Sequence, residues 1–351
     1  MNKILNKRQE NILNLLEQEG SLGISKILPA LKLIFKDVSK VTINRDIKNL
    51  ISLGYIKSTG LARATNYRLS THYNLISPID VEKYFKTETD KRNIKEKFNF
   101  DIFSLLKNIF TEQEKSRLHG LNKIYQKNIK IIPANLQKQE FARLIIELSW
   151  KSSQIEGNTY SLLETEALIK GREEAKGHKK EEAVMILNHK EALDYISNNR
   201  AIFTKISVSK IEDIHYLLTK NLGITRNLRK TAVGIIGTKY RPLDNNYQIK
   251  EALEKACELI NKESDPFSRA VILSILIAYI QPFEDGNKRT SRLIANAILL
   301  AYGICPLSYR NVNEAEYKKA VVLFYEQNNM SYFKQLFIEQ FKFAVENYFK
   351  A

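Results

Sequence analysis

The sequence predicts a mainly α-helical protein in two parts: a large helical core carrying one short β-hairpin, and before it a small domain of three helices with its own hairpin. Glycine and proline are scarce, 13 and 7 of 351 residues, among many Leu, Ile, Lys and Glu that sit at little cost in a helix. Apolar residues recur at helical spacing through most of the chain. The pattern changes only near 55–69 and 231–244, where short alternating runs flanked by glycine read as strands. A chain of this length has room for two or three domains. At 44% hydrophobic and 27% charged residues, it is a globular chain and not a disordered one.

The first element expected is an amphipathic helix from Asn6 to Gln18, with Ile12, Leu13, Leu15 and Leu16 on its apolar side. A second apolar segment runs from Ile24 to Leu33. A third helix spans Ser39 to Gly54, where Ile43, Ile47, Leu50 and Ile51 share one face and Gly54 sits at the C-terminal cap. Residues 55–57 and 66–69 then read as two strands around Gly60.

Thr42, Arg45, Asp46, Leu50, Gly54 and Ile56 fit T-x-x-R-D-x-x-x-L-x-x-x-G-x-I. On these residues the segment resembles the winged helix-turn-helix, whose recognition helix leads into a β wing. The face opposite the apolar stripe carries Thr42, Asn44, Arg45 and Lys48, side chains suited to base edges and phosphates of a major groove. Arg63 and Arg68 fall in the wing. Residues 1–70 hold 12 lysines and arginines against 5 acidic residues, a net of +7 in a chain whose total is +16. Double-stranded DNA is therefore the expected partner of this domain, with a protein–protein role as the alternative.

Domain boundaries are expected at 1–72 for the winged helix, 73–110 for a charged connector ending in a helix over Asp101 to Ile109, and 111–351 for the core. Cys257 and Cys305 lie in no metal-ligand spacing, and His72, His119, His178, His189 and His215 form no zinc pattern. The start of the chain shows no signal-like apolar run, and the longest apolar run, Ala270 to Ile280, has about half the length of a membrane span. A reduced, cytoplasmic protein without membrane contact is the expectation.

Residues 281–292, QPFEDGNKRTSR, link that apolar helix to a second one over about Arg289 to Leu300. Pro282 cannot continue a helix, Gly286 permits a tight loop, and Asn287 is suited to cap the second helix. Arg289 and Arg292 stand three apart, on nearly the same helix face. Free N–H groups at a helix start, joined by two guanidinium forks, make a phosphate site, and Asp285 stands where it could hold a Mg²⁺ on those phosphates.

At these residues the chain resembles the Fic family, whose motif is H-P-F-x-[D/E]-G-N-x-R-x-x-R; only the first position departs, with Gln281 in place of His. Residues 152–158, SSQIEGN, resemble the family's inhibitory motif, within a helix expected around 145–160 that contains Ser152, Glu156 and Gly157. Thr231 to Pro242 is similar to its β-hairpin flap, and Leu187 to Ala192 and Pro306 to Tyr317 to further segments. The likeness covers about residues 100–345. It implies transfer of AMP from ATP to a protein hydroxyl, with Asp285 on Mg²⁺, with Gly286, Asn287, Lys288 and Arg289 in the nucleotide site, and with Arg292 on the γ-phosphate. Glu156 would pair with Arg292 and obstruct productive ATP binding.

The family's histidine is the general base, and a glutamine amide can orient a hydroxyl but cannot take its proton. The phosphate site does not depend on that residue. The leading expectation is thus a DNA-binding regulator whose Fic core binds ATP or another nucleotide with weak or absent transfer activity. The alternatives are an auto-inhibited protein adenylyltransferase and a non-catalytic partner-binding component. A homodimer fits both folds.

Overall fold

The computed structural model describes residues 5–61, 65–70 and 72–350. In chain order the elements are α1 (Lys7–Glu19), β1 (Ser21–Gly23), α2 (Ile24–Ile34), α3 (Lys40–Ser52), β2 (Ile56–Thr59), β3 (Asn66–Leu69), α4 (Tyr73–Ile76), α5 (Val81–Lys86), α6 (Ile102–Leu105), α7 (Glu112–Ile131) and α8 (Ala134–Ile155). They continue with α9 (Leu162–Gly171), α10 (Lys180–Asn198), α11 (Val208–Thr219), α12 (Asn246–Lys262), α13 (Pro266–Ile280), α14 (Asn287–Ala301), α15 (Glu314–Gln327) and α16 (Ser331–Asn347). Two compact units divide the chain: residues 1–79 with 108–115, and residues 80–107 with 116–351.

In the first unit, Asn6 caps α1 and exchanges reciprocal bonds with Gln9. Ile12, Leu13, Ile27, Leu31, Ile43 and Ile47 bury into one small core. Asp46 on α3 is buried too. It accepts from Arg8 Nε (2.8 Å), Asn6 Nδ2 (3.2 Å) and Gln9 Nε2 (3.3 Å), which locks the start of α1 to α3. Gly54 takes φ +74° after α3, and the bonds Gly54 N→Ile51 O and Tyr55 N→Leu50 O close the helix in a Schellman turn.

The sheet departs from the expected hairpin by having three strands, antiparallel in the order β1-β3-β2. β1 is only three residues long, too short to show an alternation. Ile51, expected on the apolar stripe, is 40% exposed, because the stripe closes at Leu50 as the helix ends.

The second unit is all helix around one hairpin of helices. α13 is buried at every residue from Phe267 to Ile280, and α14 at all but Lys288 between Asn287 and Leu300. These two form the most extensive helix pair, surrounded by α8, α10, α11, α12 and α15. Apolar on every side, α13 has the pattern of a helix with no solvent face. No helix among the described residues is long and apolar enough to cross a membrane.

Two expected elements differ from expectation, one shortened and one not formed. The helix over 101–109 shrinks to α6, since Leu106 leaves helical geometry (ψ 60°) and Asn108 takes φ +52°. The hairpin over 231–244 does not form either: the segment is irregular, and its one β contact is an isolated parallel bridge from Arg241 to Lys97. Its ends are held by side chains instead of by a partner strand. Both cysteines are free and buried.

Candidate functional site

Gln281 ends α13 in the left-handed region (φ 51°, ψ 60°), uncommon for a residue with a side chain. Buried Arg229 holds this turn. Its Nε donates to Gln281 O (2.6 Å), its backbone N–H to Pro282 O (3.0 Å), and its Nη1 to Thr231 O (2.7 Å), while Nη2 bonds Leu243 O. One arginine therefore ties the start of the 231–244 segment to the end of α13. The Gln281 amide is engaged as well, with Nε2 donating to Ala278 O (2.6 Å) and to Tyr325 Oη (3.2 Å).

The loop after it is closed by Asn287, which accepts from Phe283 N (2.9 Å) and donates to Phe283 O (2.8 Å). The expected cap by Asn287 is thereby corrected. Gly286 is the N-cap residue, and no side chain takes the first N–H groups of α14 because the Asn287 amide is spent on the loop. Those N–H groups are left for an anion.

Gly286 is confined twice. It takes φ +79°, and a Cβ there would meet Thr219 Cγ2 at 3.0 Å and His215 Cδ2 at 3.4 Å. His215 on α11 stacks on Phe283 (centroids 3.6 Å apart, planes 5° apart) and bonds Asp285 O through Nε2 at 3.0 Å. Burial, helped by Arg289, pushes its imidazole down to about 4 against the opposing bond to Asp285. At neutral pH the ring is uncharged, so Nε2 carries the proton that Asp285 O accepts.

The two motif arginines have different surroundings. Arg289 is 1% exposed; its Nη2 lies 3.3 Å from the exposed Asp285 carboxylate, and its Nε and Nη1 have no partner. Burial lowers its basicity. Arg292 is fully buried, with Nε on Ser152 Oγ, Nη2 on Ser152 O and Nη2 on Glu156 Oε1, each at 2.9 Å. Tyr317 lies beneath its guanidinium at 5.2 Å. Glu156 also faces Lys288 at 3.5 Å. Burial pushes the Glu156 carboxyl up, but Arg292, Lys288 and Arg289 together outweigh it, so the group is held below the usual carboxylate range.

Glu156 owes its position to the end of α8. Gly157 takes φ +97°, and Gly157 N→Gln154 O with Asn158 N→Ser153 O make a second Schellman turn. Asn158 then pins the chain to α10 by donating to Glu182 O at 2.9 Å.

These elements enclose a cleft of about 450 Å³, of the size that takes small ligands. One wall is Ile155 to Gly157, another Val233 to Ile236, a third Lys318, Val321, Val322 and Tyr325 of α15. Gln281 and Glu284 to Arg289 form the floor. Orphaned buried guanidinium atoms beside a helix start fit an anion. The exposed carboxylate of Asp285 fits Mg²⁺ only together with phosphate oxygens, since no group of three potential metal ligands occurs among the described residues.

Reasoning from the sequence missed Arg229, His215 and Tyr325. Each sits in an ordinary local pattern, and only the fold brings it within reach of residues 281–286.

In the first unit, Arg45 and Lys48 are exposed on α3, with Asn44 and Thr42 half-buried beside them. Thr42 is partly spent on the helix cap, as its hydroxyl lies 3.0 Å from Ser39 Oγ. Arg68 is exposed on β3, and Arg63 lies outside the described residues.

A helical unit built around a buried helix hairpin, with an anion-receptive loop between the two helices, defines a Fic-type fold. Residues 205–299 match the model of the Fic/DOC family, and the chain carries a Fic/DOC-family domain. The Protein adenylyltransferase Fic of Nematostella vectensis is 30% identical over 209 residues, which cover 56% of this chain and 48% of that protein. The Protein adenylyltransferase fic-1 of Caenorhabditis elegans is 29% identical over 171 residues, 46% of this chain and 33% of that one. The chain thus spans about half or less of the length of these relatives. In fold it is similar to a C. elegans Fic-1 structure (TM-score 0.56, 19% identity, covering 67% of this chain and 71% of that one). A Fic family protein from Desulfovibrio desulfuricans G20 gives TM-score 0.56 at 19% identity, over 68% and 74% of the two chains.

Proposed function

We propose that the cleft binds ATP with Mg²⁺, that Glu156 restrains it, and that the domain is an auto-inhibited protein adenylyltransferase slowed by Gln281. One observation carries this reading: the ion pair between Glu156 and fully buried Arg292 at 2.9 Å, beside a helix start whose N–H groups no side chain caps. The likeness to two named adenylyltransferases supports the same reaction.

In this reading the first N–H groups of α14, with Arg289 and Lys288, hold the phosphates, and Asp285 shares Mg²⁺ with their oxygens. The metal would supply charge neutralisation on the phosphates. Arg292 would take the γ-phosphate once Glu156 releases it. The Gln281 amide, already donating to Ala278 O and Tyr325, orients an incoming hydroxyl but leaves its proton in place. The open segment over residues 233–236 would hold the target chain.

Calorimetric titration of ATP–Mg²⁺ into the protein and into Glu156→Gly tests the reading. Relief of a partly buried Arg–carboxylate fork of about 1.5–3 kcal/mol should tighten binding roughly 10- to 150-fold. The sign with pH comes from the depressed Glu156 carboxyl. The restraint persists through neutral and mildly acidic pH and is lost only as pH falls below the usual carboxylate range. The Glu156→Gly protein should lack that acid-dependent gain. Equal affinity of the two proteins would sink the inhibitory role, and no binding by either would sink the nucleotide reading.

A second activity is favoured by the exposed basic face of α3. The first unit would bind duplex DNA through Arg45, Lys48 and Arg68, with Thr42 and Asn44 at base edges. Removing Arg45 and Lys48 together should cut the slope of log affinity against log salt by about 2, as two phosphate contacts are lost. An unchanged slope in gel-shift titrations would place the contacts elsewhere.

A further inference from the structure

The wall over residues 233–236 is irregular up to a turn at 236–237, where Gly237 takes φ +87°, and it leaves Ile236 99% exposed. Next to this wall, a segment from far upstream takes hold of it. Buried Arg92 donates through Nη2 to Gly237 O (2.6 Å) and Thr89 Oγ1 (3.0 Å), and the same nitrogen faces Glu326 Oε1 at 3.3 Å. Glu326 comes directly after Tyr325 on α15, the opposite wall of the cleft. It is held in turn by Tyr84 Oη on Oε2 (2.7 Å) and by Lys95 N on its carbonyl (2.8 Å).

The guanidinium of Arg92 packs over the rings of Tyr84 and Phe85, which fixes its fork. Farther along, Arg241 N donates to Glu96 O (2.7 Å), and Lys239 Nζ reaches Asp90 O (3.2 Å). Residues 84–97 thus touch both walls of the cleft without lining it, and Arg92 joins the two with one nitrogen.

We propose that residues 84–97 are a strap that sets how far the 233–237 wall stands from α15, with Arg92 as its positioning residue. Its consequence for entry of a target segment rests on the reading of the cleft as a transfer site; the restraint on the wall does not.

The test uses a nitroxide on Ile236→Cys, since Cys257 and Cys305 are buried and leave position 236 as the reactive thiol. Adding Arg92→Gln should shorten the label's nanosecond correlation time at least about twofold. Tryptic cleavage after Lys239 should speed up about tenfold as local opening becomes easier. Arg92→Lys, which keeps the charge opposite Glu326 but lacks the fork, should fall between the two. A control label at Tyr247→Cys on α12 should not respond; an equal response there means general loosening and overturns the positioning role.

An unchanged spectrum and cleavage rate in folded Arg92→Gln overturns the strap. If that variant does not fold, unchanged values in Arg92→Lys overturn it instead. Titration of ATP–Mg²⁺ into Glu156→Gly separates the two readings. No binding there rejects the nucleotide site, whereas the label reports on the wall in either case.

Discussion

Replacing Gln281 with His in the Glu156→Gly background should raise AMP transfer by about 10²–10⁴, the usual contribution of a positioned general base. The backbone accepts the change, because histidine is among the residues enriched in the left-handed region that Gln281 occupies (φ 51°). The surroundings suit it too. Ala278 O, now 2.6 Å from Gln281 Nε2, offers an acceptor for one ring N–H, which would leave the other nitrogen free as a base. The measurement is incorporation of AMP from α-labelled ATP into the protein itself, with Gln281→Ala as a control expected to stay at the parent's rate. If the histidine variant binds ATP as tightly as its parent and transfers no faster, the step is not limited by a missing base. The resemblance would then extend to binding alone.

The second large effect is on stability. Arg229 is 1% exposed, its guanidinium donates to carbonyl oxygens, and burial lowers its basicity against the opposing influence of Tyr240 and Asp244. Arg229→Met fills the space but leaves the carbonyls of Gln281, Thr231 and Leu243 without their donor. At about 1–3 kcal/mol for each buried orphan, the loss should total about 3–5 kcal/mol after partial relaxation. Urea unfolding measures it, and Arg229→Lys, which keeps one donor group, should lose less. A cost under about 1 kcal/mol would mean that water replaces the guanidinium, and that Arg229 does not hold the turn.

Much of the loop at residues 281–292 could be read from residue types. Pro282 forces the end of α13, glycine at 286 announces a conformation closed to other residues, and arginines three apart share a face. The clash a Cβ would make with Thr219 and His215 was not legible, because those side chains arrive from α11 through packing alone. Asn287 illustrates the limit from the other side. Its chemistry suits an N-cap, but the tight loop offers it the Phe283 backbone first, and it closes the loop instead.

The 231–244 segment failed as a hairpin for a related reason. A strand is stabilised by its neighbours in a sheet, and here Arg229 takes the carbonyls of Thr231 and Leu243 at the two ends while Arg92 takes that of Gly237 between them. β1 failed in reverse: three residues carry no periodicity, yet β3 presents an edge that pairs with them.

By itself, the sequence determined the helical character, a third helix with basic residues on its exposed face, and the residue types of the loop at 281–292, since these arise from local propensity, periodicity and turn chemistry. Only the tertiary structure decided that Glu156 meets Arg292 across 136 residues of chain, that Arg229 staples the turn at Gln281, and that Arg92 spans the cleft. Each of those is a bond between charged or polar groups buried by distant elements, and its existence depends on which helices pack together.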